Sequence, residues 1–86
     1  MPEPAITVVI RKKQSLLFEG LIRRVSSYNE KGEFDIYPYH ANFVAVISRF
    51  LELEKLGGKK EIVRFPLEKG ILLVKEDRVE IYQIYP

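Results

Sequence analysis

The sequence predicts an all-β fold, a flattened β-sandwich or barrel of about eight to ten short strands in two sheets. Two observations carry the prediction. Runs of branched and aromatic residues recur at short intervals, and Gly, Pro, Asn or charged groups punctuate them. Before residue 42 no stretch places apolar residues at helical spacing.

In chain order, a short lead with Pro2 and Pro4 precedes Ala5 to Ile10, where Ile6, Val8 and Ile10 alternate with Ala5, Thr7 and Val9 as in a strand buried on at least one face. Arg11-Lys12-Lys13-Gln14-Ser15 breaks the run, Leu16-Leu17-Phe18 restores it as a short strand, and Gly20 interrupts again. Leu21 to Tyr28 reads as a second long strand, closed by the turn-like group Asn29-Glu30-Lys31-Gly32. From Asn42 to Leu56 two readings stand. Phe43, Val46, Ile47 and Phe50 fall at helical spacing with Asn42 as an N-cap, whereas the branched and aromatic content and the alternation in Leu51-Glu52-Leu53-Glu54 favour two strands bent near Ser48 and Arg49. The strand reading is preferred. Gly57-Gly58 signals a two-residue hairpin turn joining Phe50–Leu56 to Lys60–Phe65. After Pro66, Leu67-Glu68-Lys69-Gly70 is expected to turn the chain into Ile71-Leu72-Leu73-Val74, read as the most buried strand, and Glu76-Asp77 makes a tight turn into the closing strand Arg78 to Tyr85.

Eighty-six residues make a single domain, 1–86, and 47% apolar with 30% charged residues is the composition of a globular chain. A formal charge of +2 is too small for a nucleic-acid footprint, and the absence of Cys removes disulfides, thiolate nucleophiles and thiolate metal sites. No apolar run approaches the roughly 20 residues of a membrane-spanning helix. The chain reads as cytoplasmic, with no cofactor.

One stretch departs from plain strand patterning. From Gly32 to Phe43, Phe34 and Ile36 alternate with Glu33, Asp35 and Tyr37; Pro38 ends the run; and the sole His, His40, follows in an aromatic setting. Compact loops at one end of a rigid sheet are common binding surfaces. Catalysis is poorly provided for: one His, no Cys, no phosphate-cradling loop and no metal-ligand spacing, with only the same-face carboxylates Glu33 and Asp35 as a candidate pair.

The sequence resembles the N-terminal β-sandwich domain of the epsilon subunit of F-type ATP synthase, called delta in mitochondria. Leu17-Phe18-Glu19-Gly20 is similar to the family's Phe-x-Gly, and Gly32 to Ala41 is similar to its Gly-Glu-Leu-Gly-Ile-Leu/Tyr-Pro-Gly-His-Ala, with Glu33, Ile36, Pro38, His40 and Ala41 in register. Lys69 to Val74 resembles Gly-Gly-Phe/Ile-Leu-Glu-Val, and Asp77 to Ile81 falls on the last strand. Asp35 and Tyr39 stand where the family has Gly, and the family's two-helix C-terminal domain, with its inhibitory insertion and ATP binding, has no counterpart before Pro86.

The resemblance implies a non-catalytic central-stalk subunit of a proton- or sodium-translocating ATP synthase. Such a subunit binds gamma and the c-ring and supports coupling of ion flow to ATP synthesis, peripheral to the cytoplasmic side of the inner or plasma membrane. It assigns partner binding to Glu33 and His40, with Tyr37, Asn42 and Ala45 nearby and Lys12 close to gamma. Structural roles compete: His40 can tie its loop to backbone carbonyls, Asp35 can be a solvated strand face, and Tyr39 is expected to pack on the sandwich edge. The rival class is a small β-barrel nucleic-acid-binding module, since five Tyr and five Phe among 14 basic residues can form stacking platforms. Filter binding with labelled single strands across a salt series separates the two: the stalk reading expects no retained complex, and a steep salt slope identifies the nucleic-acid barrel.

Overall fold

The structure, a computed structural model, describes residues 3–85. Six strands form one sheet: β1 Ile6–Lys12, β2 Ser15–Asn29, β3 Gly32–Ile36, β4 Phe43–Lys55, β5 Ile62–Lys75 and β6 Arg78–Tyr85. Their order is β1-β6-β5-β4-β2-β3, and a further β1–β2 pairing closes β1, β6, β5, β4 and β2 into a barrel that carries β3 outside the ring on β2. All pairings are antiparallel except β1 with β6, which runs parallel from Thr7↔Arg78 to Lys12↔Gln83. The all-β expectation holds, and the segment 42–56 that also suited a helix is strand β4.

The strands are fewer and longer than the punctuation suggested, and they belong to one curved sheet rather than two. Residues expected to end strands bend them instead. At Gly20 β2 continues, with the Phe18 ring lying over the glycine so that an added Cβ would meet Phe18 Cζ at 3.2 Å. At Ser48-Arg49 the β4–β5 register slips while β4 continues, and Arg49 takes φ 71°. Such a bulge bends a strand enough to wrap a barrel corner. It also exposes a carbonyl: Ser27, fully buried inside, donates its hydroxyl to Phe50 O at 2.7 Å. Pro66 does not end β5 either, because it pairs with Phe50 on a stretch of β5 that β6 does not reach, where a missing N–H costs no ladder bond.

Alternation decides the core. Ile6, Val8 and Ile10 of β1, Ile22 and Val25 of β2, Ile36 of β3, Ile47, Leu51 and Leu53 of β4, Leu72 and Val74 of β5, and Val79 and Ile81 of β6 fill the interior. Phe18, Phe34, Phe43 and Ala45 pack at its margins. The run Ile71–Val74 behaves differently from the fully buried strand expected of it: Leu72 and Val74 point inward, but Ile71 is 38% exposed on the outer surface. Ile71 has the parity opposite to Leu72 and Val74 and so lies outside the barrel, although that parity is not everywhere exposed: Val9 of β1 is 1% exposed.

Turn chemistry explains the connections. Glu76 and Asp77 adopt φ 50° and 60° between the paired Lys75 and Arg78, the double positive φ of the hairpin turn that matches strand twist. Between β2 and β3, Asn29 Oδ1 accepts the Lys31 amide at 2.8 Å and Gly32 takes φ 115°. The Gly57-Gly58 hairpin is not a two-residue turn. The last β4–β5 pair is Glu54↔Ile62, and Gly57 places its amide on Glu3 Oε1 (3.0 Å) and its carbonyl on Arg23 Nη2 (2.9 Å), so the loop 56–61 opens toward the N-terminal segment. Pro2, assigned to that segment from the sequence, lies outside the described residues.

Gly70 is the tightest glycine of the barrel wall: a Cβ there would meet Tyr82 O at 3.0 Å and Ile47 Cγ1 at 3.4 Å. Gly70→Ala is expected to lower the unfolding free energy by about 1–3 kcal/mol in urea titrations. Gly58→Ala, which meets nothing within 4 Å, should stay within about 0.5 kcal/mol of wild type.

Candidate functional site

Three of the sequence-nominated residues, Tyr37, His40 and Asn42, lie in the loop 37–42 between β3 and β4, and the β5–β6 turn holds that loop. Asp77 Oδ1 accepts the Tyr39 amide at 2.6 Å, and Asn42 Oδ1 accepts the Glu76 amide at 3.0 Å. Asn42 therefore acts as a latch to the barrel. His40 sets its ring 5.0 Å from that of Phe43, which in turn meets Phe34 edge-on at 5.8 Å. His40 Nδ1 lies 2.7 Å from Ala41 O, and since a carbonyl only accepts, Nδ1 is the donor of that contact. Tyr37 and Tyr39 are 52% and 82% exposed. Tyr39 does not pack on the sandwich edge as expected: its φ of 69°, at a position the sequence aligned with glycine, turns the ring outward. Asp35, the other glycine replacement, sits in β3 with ordinary strand dihedrals.

The remaining nominees are dispersed. Glu33 is exposed on β3 opposite Tyr28 and lines a groove with Arg49, Phe50 and Arg64. Lys12 ends β1 beside Gln83, five residues beyond Thr7, whose amide bonds Asp77 O next to the loop, and so roughly 17 Å away from it. Ala45 turns toward the core, and its neighbours Val44 and Val46 face outward at 67% and 57% exposure.

Two features escaped sequence reasoning. The first is an ionic network on the outer side of β2, β3 and β4. Arg24, 8% exposed, gives Nε to Glu54 Oε1 at 2.9 Å and Nη2 to Glu52 Oε1 at 3.0 Å, and its Nη1 reaches Ser26 Oγ, which also binds Asp35. Asp35 lies on a solvated strand face, as expected, with its side chain 53% exposed, and from there it also joins the network through Ser26. Arg23 adds Glu54 Oε2 at 3.4 Å and Glu3. Two adjacent arginines on one strand and a Glu-x-Glu alternation on another were the available signal, but their pairing depends on register.

The second is an apolar outer face across β4, β5 and β6. Val46, Ile71 and Tyr82 stand in one cross-strand row, 57%, 38% and 44% exposed, with Val44 opposite Leu73 beside them and Ile84 beyond. Period-two reading of 43–47 and 71–74 predicts such a face once the inward parity is known.

The geometry defines a small closed barrel with a latched end loop and an uncovered apolar wall. Chains of this shape occur in solved structures, two of which are ATP synthase assemblies. A chain in the Euglena gracilis mitochondrial ATP synthase, in a structure of its OSCP/F1/c-ring, superposes with a TM-score of 0.83 at 19% identity, over 96% of this chain and 52% of that one. A chain in the central stalk/c-ring structure of the Tetrahymena thermophila mitochondrial ATP synthase gives 0.75 at 16% identity, over 93% and 63%. This chain thus spans between half and two thirds of the chains it matches. At these identities the likeness establishes the fold. No protein-family model and no curated protein sequence matches the chain.

The network makes stability sensitive to acid. Hydrogen bonding from Arg24, with burial opposing, holds the Glu54 carboxyl below the usual carboxylate range; in Glu3 the Gly57 amide and then Arg23 act in the same direction. A depressed carboxylate contributes stability above its unfolded pKa and loses it as pH falls through the folded value. Urea midpoints should therefore drop through and below the ordinary glutamate range. Glu54→Gln should be less stable at neutral pH and show a flatter acid limb.

Proposed function

We propose that the chain is a non-catalytic subunit of the central stalk of an F-type ATP synthase. In this reading its apolar β4–β5–β6 wall docks against gamma, and its loop 37–42 faces the membrane c-ring. The observation that carries the reading is the wall itself. Val46, Ile71 and Tyr82 form an exposed row on a barrel whose core is complete without them, and a contiguous apolar face of that kind is the mark of a protein–protein contact. The shared fold with chains of two ATP synthase structures and the in-register Gly32–Ala41 motif direct it to this assembly.

The arrangement suits a mechanical part. A closed barrel exposes few free strand edges and resists shear, so torque delivered at one side reaches the other without internal slip. Tyr37 and Tyr39 offer contact area with little rotamer entropy to lose. Glu33 and Lys12, away from that loop, would meet the partners at other edges. The driving ion belongs to the ring's chemistry and not to this chain. Association with the membrane is peripheral, through the complex.

Co-expression with the gamma subunit of the same organism tests the reading, with a co-purifying complex as the expected result. Ile71→Asp should abolish that complex, a loss of about 2 kcal/mol or more in binding, while the melting temperature of the isolated domain holds because Ile71 lies outside the core cluster. Glu33→Ala and His40→Ala should weaken ring assembly or coupling with equally small effects on melting. Failure of the wild-type chain to bind gamma, while control subunits assemble, would refute the assignment.

A further inference from the structure

The β4 bulge aims one arginine into a groove whose lining includes none of the row Val46, Ile71 and Tyr82. Arg49, at φ 71°, lays its guanidinium 3.9 Å from the centre of the Tyr28 ring. Arg64, from the paired stretch of β5, lies 4.2 Å over Phe50. Glu33 and Phe65 complete the walls. A β-branched or bulky residue at positive φ is uncommon and costs backbone energy, and such bulges recur where a side chain is re-aimed.

The two arginines differ in their counter-charges. Glu52 Oε2 lies 3.5 Å from Arg64 Nη1, so Arg64 is partly neutralised. Among the described residues no ion pair includes Arg49, and Glu33, which lines the same groove, is paired to neither arginine. The Tyr28 ring lies against the Arg49 guanidinium, whose forked N–H groups are the donor set that binds a carboxylate through two parallel hydrogen bonds. The groove is open and partly apolar, with Phe65 37% exposed. That shape suits an extended chain segment more than an enclosed small molecule.

We propose that this groove is a docking site for an acidic segment of a partner protein, with a Glu or Asp carboxylate forked on Arg49 and an adjacent apolar side chain against Phe65. The groove shares Glu33 with the stalk reading but none of the row Val46, Ile71 and Tyr82, and the isolated chain is sufficient to test the proposal without gamma or the ring.

The test titrates isotope-labelled protein with a short peptide alternating glutamate and tyrosine, followed by amide chemical shifts, with the lysine-for-glutamate peptide as control. Shifts are expected at Tyr28, Arg49, Phe50 and Arg64, weakening with salt, and none from the lysine peptide. Arg49→Gly should bind about tenfold more weakly and keep the fold, since glycine accepts the positive φ. Arg49→Lys should fall between, retaining charge without the fork. Equal binding of both peptides, shifts confined to the β4–β5–β6 wall, or wild-type affinity in Arg49→Gly would overturn the proposal. So would shifts produced by a single-stranded oligonucleotide and not by the peptide, which would assign the groove to nucleic acid.

Discussion

Closure of the sheet through the parallel ladder between β1 and β6 is the constraint from which the other features follow. Without the pairing of Thr7–Lys12 with Arg78–Gln83, β1 and β6 would be open edges and Val8, Ile10, Val79 and Ile81 would lose the facing wall that buries them. The ladder begins where Thr7 donates its amide to Asp77 O at 2.9 Å. Asp77 belongs to the same turn that holds the loop 37–42 through its side chain, while the preceding amide goes to Asn42. One two-residue turn therefore ties barrel closure to the position of the end loop, and disturbing the seam would disturb the candidate contact surface.

A closed barrel also determines what the outside can do. The interior is filled by residues of one parity, so chemistry and recognition fall to the other parity and to the loops. On β2, β3 and β4 that outer parity is ionic, organised by Arg24; on β4, β5 and β6 it carries the exposed row Val46, Ile71 and Tyr82, flanked by Glu80 and Arg78. The division is physical rather than decorative. Arg24 is nearly buried and holds two carboxylates, so removing it would strand charges in a poorly hydrated place, whereas Ile71 or Tyr82 can be changed at small cost to the fold. Latent contact surface and fold stability are thus carried by different side chains.

Much of this was legible in the residues. Alternation in Ile6–Ile10, Phe34–Ile36 and Leu51–Leu53 identified inward parity, Glu76-Asp77 marked a tight turn, and Ser48-Arg49 marked a bend. Strand count was not legible, because Gly20 and Pro66 act as punctuation only when no neighbouring strand or ring supports them; here Phe18 covers Gly20, and Pro66 pairs on a stretch where its missing donor is harmless. The five in-register positions from Glu33 to Ala41 gave the loop's place but not its latch, since the pairs Asn42–Glu76 and Tyr39–Asp77 are 34 and 38 residues apart and meet only through the pairing of β4 with β5. The Arg24 network and the Arg49 groove were invisible for the same reason: cross-strand register, not local pattern, brings their members together.

The central claim is that this barrel is a rotor part whose apolar wall is buried by a neighbour. A cryo-EM reconstruction of the ATP synthase from the organism that makes the chain tests it most directly. The account predicts density for this barrel in the central stalk, with Val46, Ile71 and Tyr82 against gamma and the loop 37–42 toward the ring. Another chain occupying that position, or this barrel bound with the same wall open to solvent, would contradict it.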